Sequence, residues 1–76
     1  DGSIDLSNAV GAAGQTYLQI PPAGGGHGLV QVPVQGRTVE LRAVTPEGSP
    51  IPTGAPVIVV AVVDGETVEV VPTPTL

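Results

Sequence analysis

A chain of 76 residues can form one small domain with much of its surface wet; with no Cys and a single His, disulfides and a His/Cys metal site are excluded as staples. Two basic residues against seven acidic ones give a net charge of -5, which opposes association with nucleic acids and anionic membrane surfaces. Phe, Trp and Met are absent and Tyr17 is the sole aromatic, so the core must be aliphatic, and a Val-rich core favours strands over helices.

Residues 1–10 open the chain as a polar segment with room for one helical turn before Gly11, and read as a flexible tether. From Gln15 the chain alternates through Thr16, Tyr17, Leu18, Gln19 and Ile20, which predicts a first strand with Leu18 and Ile20 on one face. Pro21-Pro22 ends it, and a glycine-rich loop runs to Gly28. A second strand is predicted over Leu29 to Val34, with Val30, Val32 and Val34 on a common face and Pro33 in an edge-like position. Gln35-Gly36 makes a tight hairpin into a third strand, Arg37 to Val44. There Val39, Leu41 and Ala43 face the core, and Thr38, Glu40 and Arg42 face water.

Four prolines and two glycines between Thr45 and Pro56 leave no room for a helix, so this connection is a loop. A fourth strand follows from Val57 to Val63. Asp64-Gly65 predicts a two-residue hairpin of the positive-φ type, leading into a fifth strand, Glu66 to Val71. Residues 73–76 form an extended, frayed tail. The longest apolar run, Val57 to Val63, falls far short of the about 20 residues a membrane-spanning helix needs. Five short strands joined by turns predict an all-β fold, first of all a small five-stranded OB-type barrel over residues 11–72, with an SH3-like barrel or a small sandwich as the alternatives.

Catalytic chemistry finds no constellation to use. His27 sits alone among glycines, without the companions that a metal site or a nucleophile-activating base requires. The glycines before it lack the Lys of a phosphate-binding loop. Glu40, Glu66 and Glu69 alternate with apolar residues and read as a solvated face. A lipoyl- or biotin-type carrier needs an acceptor Lys, and the chain contains none. No catalytic, cofactor-binding or metal-binding residue is therefore expected, and no cofactor.

What folding does not absorb is the fourth strand, apolar on both faces where a barrel strand buries one. Either the tether, the proline loop or the tail covers its second face, or its alternate residues Ile58, Val60 and Val62 are the candidate interaction strip, for another copy, a neighbouring domain or a partner protein.

The run Ile51-Pro52-Thr53-Gly54-Ala55-Pro56-Val57-Ile58-Val59-Val60, taken with Gly28 to Val32, the hairpin at Gly36, Glu40-Leu41-Arg42-Ala43, Asp64-Gly65 and Val68-Glu69-Val70, resembles the C-terminal soluble domain of the NfeD family. In this motif Ile51 can plug the barrel end and Gly54 permits the bend into the fourth strand. The chain departs from relatives that place an aromatic after the second-strand hairpin, having Val39 and Leu41 there. The resemblance implies the soluble part of a membrane protein whose transmembrane helices lie outside this chain. It also implies a non-enzymatic interaction role beside stomatin-, prohibitin- or flotillin-like scaffolds. The alternatives are a nucleic-acid or small-ligand OB domain, opposed by charge and aromatic content, and an accessory domain of a membrane serine protease.

Overall fold

A computed structural model describes residues 6–73. A short 3-10 turn, Leu6–Ala9, precedes β1 (Ala13–Leu18), β2 (Gly28–Val34), β3 (Arg37–Val44), β4 (Pro56–Val62) and β5 (Thr67–Pro72). The strands close a barrel in the order β1-β2-β3-β5-β4, and β4 pairs back onto β1. Every pairing is antiparallel except β3 with β5. This is the OB-type five-stranded barrel that the sequence predicts.

The β2–β3 hairpin follows the predicted pattern closely. Val30, Val32 and Val34 are buried, with Leu41 and Val39 opposite the first two. Gln35 and Gly36 both adopt positive φ, 53° and 83°, the turn whose twist matches the flanking strands. Pro33 is exposed and lies past Gln31, where the β1 register ends, so the donor it lacks is not needed for that ladder.

Three elements differ from expectation. The first strand begins earlier, at Ala13, and its register shifts between Thr16 and Leu18. One extra residue at that bulge reverses the alternation, so Thr16 faces inward opposite Val30 while Leu18 turns outward and is 55% exposed. Ile20 is buried, yet not on a shared strand face with Leu18. It lies beyond β1 and exchanges two 2.9 Å backbone hydrogen bonds with Ile51.

The Asp64-Gly65 hairpin is also wider than predicted. Neither residue takes positive φ, and four residues separate β4 from β5. The Asp64 carboxylate explains this, because its Oδ1 accepts the Glu66 N–H at 2.9 Å, while the Val63 and Asp64 N–H groups both donate to the Thr67 carbonyl. Finally, of the segment read as a tether, residues 1–5 lie outside the described residues, and Leu6 and Ala9 are buried in the core. Of the predicted tail, residues 74–76 lie outside the described residues, and the Thr73 N–H bonds to the Pro56 carbonyl at 3.0 Å.

The hydrophobic core is aliphatic, with Ile20, Ile51, Val30, Val32, Val57, Val59, Val68 and Val70 fully buried and Thr16 buried beside them. Ile51 is buried in the core and bridges to Ile20. Gly54 takes φ +91° in the turn before β4, a conformation that any side chain would strain.

Candidate functional site

The fourth strand is where composition exceeds what folding requires. Val57 and Val59 face inward and are buried. Ile58 faces outward but is half-buried, with Ala13 of β1 opposite it on one side and Val71 of β5 on the other. A register shift then falls between Val59 and Ala61, leaving Val60 as the extra residue of a bulge, 43% exposed. Beyond it Val62 stands opposite the buried Val68, 39% exposed at the barrel mouth, and Val63 is 55% exposed.

Ile58, Val60 and Val62 therefore do not form one outer row. The bulge changes the alternation between the first and the last of them, as the β1 bulge does for Leu18. Exposed apolar surface gathers instead around the bulged end of β4, at Val60, Val62 and Val63. Val10 adds to it, since its neighbour Gly11 donates an N–H to the Val59 carbonyl at 2.8 Å.

A second exposed apolar group escapes the sequence reading. Tyr17 and Leu18 project at the β1 bulge, and Leu18 pairs with Leu29, which pairs in turn with Arg42 of β3. This row lies on the outer sheet face of β1, β2 and β3. A bulge leaves no periodic trace, but the placement of the only aromatic residue is a signal of a kind: in a small aliphatic core a lone ring belongs more readily outside.

Near this row a groove of about 370 Å³ opens between β3 and the β4–β5 loop. Leu6, Leu29 and Leu41 supply its apolar lining, and Glu40, Arg42 and Glu66 its charges. Asp64 fixes the loop that forms one wall. Its carboxyl is held below the usual carboxylate value chiefly by the hydrogen bond from the Glu66 backbone, with help from Thr67 and the Arg42 charge.

His27 is exposed in the loop before β2. Among the described residues no three His, Asp or Glu side chains come close enough to hold a metal ion. No helix among the described residues is long and apolar enough to cross a membrane. What this surface offers chemically is apolar contact, a few charges and strand edges.

Comparison with known proteins agrees with the fold. The soluble domain of the NfeD protein YuaF from Bacillus subtilis superposes with a TM-score of 0.69 at 26% identity, over 87% of this chain and 75% of that one. The C-terminal domain of a stomatin operon partner protein from Pyrococcus horikoshii superposes with a TM-score of 0.68 at 23% identity, over 91% of this chain and 94% of that one. No curated protein matches the chain. The family model described as the NfeD C-terminal domain matches residues 13–71, from the first residue of β1 nearly to the end of β5, and the chain belongs to that family.

Proposed function

We propose that this domain is a non-catalytic docking module of a membrane-anchored NfeD-type protein, engaging a stomatin-, prohibitin- or flotillin-like scaffold through the bulged end of β4. The observation that carries this reading is the exposure of Val60, Val62 and Val63, with Val10, around the bulged end of β4. The name of the archaeal neighbour, a stomatin operon partner, supports the class of partner. A single-strand nucleic-acid role is disfavoured by the net charge of -5 and by the presence of one aromatic only.

Val60 is the residue to test, because the half-buried Ile58 would lose packing if charged. Val60→Glu is expected to leave thermal unfolding within a few degrees of wild type. It should weaken binding to a co-expressed stomatin-family protein in membranes by about ten-fold or more, a change of about 1.4 kcal/mol. Equal binding by Val60→Glu and the parent domain would refute the docking surface.

A further inference from the structure

The β2–β3 hairpin reaches beyond the ladder that closes the barrel next to it. β3 has eight residues, but β5 pairs with it only from Arg42 to Val44. Ladder alternation identifies which backbone groups are left over. The two-residue turn makes Val34 and Arg37 a hydrogen-bonded pair, so Val39 and Leu41 also bond towards β2. Thr38, Glu40 and Arg42 then point their N–H and C=O groups the other way. The Arg42 N–H confirms the direction by donating to the Glu66 carbonyl at 3.2 Å. For Thr38 and Glu40, both exposed, no backbone partner exists on that side among the described residues.

Two further observations bear on the same edge. The groove beside it has Leu6 and Leu41 in its lining, an apolar seat at the position where a neighbouring strand would turn a side chain inward. Its rim carries Glu40 and Glu66 against the single positive charge of Arg42. We propose that the Thr38–Glu40 edge of β3 receives an extended peptide from a partner as an added strand, with a small apolar residue facing inward and basic residues on either side of it.

The unpaired groups call for a peptide backbone, since only another strand supplies donors and acceptors at the two-residue spacing of about 7 Å. Charge selects which backbone. Opposite an outward Glu40, with Glu66 nearby, a lysine or arginine on the incoming strand is attracted and a carboxylate repelled. A second copy of this chain would bring a net charge of -5 against -5, which favours a basic segment over another copy. This edge belongs to β3 and is separate from the valine cluster of β4.

The test is a titration of the isotope-labelled domain with acetyl-Lys-Val-Lys-Val-Lys-amide, followed by NMR and amide hydrogen exchange. The Thr38 and Glu40 amide signals are expected to shift and their exchange to slow. An acidic Glu-Val-Glu-Val-Glu peptide, and a basic peptide N-methylated at every residue, should leave both amides unchanged. Glu40→Lys, at an exposed position, should keep the fold and weaken the basic peptide by about ten-fold or more, whereas Val60→Glu should bind it as wild type does. Shifts confined to other residues, or equal binding of the N-methylated peptide, would overturn strand addition. Concentration-dependent protection of Thr38 and Glu40 without peptide would overturn it in favour of self-pairing.

Discussion

Thr16 places a hydroxyl on the inner face of β1, where the residue is 2% exposed and its Oγ1 has no hydrogen-bond partner. The β1 bulge puts it there. Removing an unpaired polar group while keeping the shape of the side chain should stabilise the barrel, so Thr16→Val is expected to add about 1 kcal/mol. Scanning calorimetry should show a rise of about 5 °C. Asp64 presents the opposite case, an exposed carboxylate whose hydrogen bonds are made. Its folded-state pKa lies below 3.8, so what it contributes to loop order is fully present above that value and is lost as pH falls through the lower, folded-state pKa. The protection factor of the Glu66 amide, its exchange relative to an unstructured peptide at the same pH, should therefore hold through neutral and mildly acid pH and fall as Asp64 is protonated. Asp64→Asn, which keeps an acceptor without the charge, should remove that pH dependence.

Among the elements, the β2–β3 hairpin was the most legible, because its valines alternate without interruption between residues that accept the turn's positive φ. The third strand has the predicted limits, Arg37 to Val44. The β1 and β4 bulges were not legible: an inserted residue changes the facing of everything after it and leaves the local composition unchanged. That is why Leu18 and Ile20 read as sharing one face from sequence, and why Ile58 and Val62 read as neighbours on one face. The Asp64 turn was misjudged for a different reason. The residue pair suits a tight hairpin, but the carboxylate bonds two residues ahead and stabilises a wider loop. Leu6 and Ala9 were hidden in a short polar segment that only the assembled barrel shows to be part of the core. Ile51 is buried beside Ile20, and its packing can be tested: Ile51→Ala should cost about 2–5 kcal/mol, measured by urea unfolding, because it leaves a cavity in the core.

For the whole molecule, the sequence conveyed the class of fold and its aliphatic core, while the OB-type strand order rested on matching five strands to a known barrel type and on the resemblance to the NfeD domain. Nothing in local alternation requires β5 to lie between β3 and β4. The proposed contact surfaces were only partly legible, since exposed valines around a bulge and an unpaired stretch of β3 edge are properties of the closed barrel. Closure depends on uneven ladders. β2 and β3 share seven register pairs across a two-residue turn, whereas β1–β4 and β3–β5 are each held by three pairs between segments distant in sequence. Nucleation should begin in the hairpin, with the two short ladders forming after the rate-limiting barrier. Val32 and Val57 are both fully buried, one in the hairpin and one in the closing ladder, so truncating each to Ala makes a matched comparison. Stopped-flow measurements should show Val32→Ala slowing refolding and Val57→Ala mainly accelerating unfolding. The seam that makes this barrel a barrel would then be the last part of it to assemble and the first to come apart, and the lifetime of the native state would be set there.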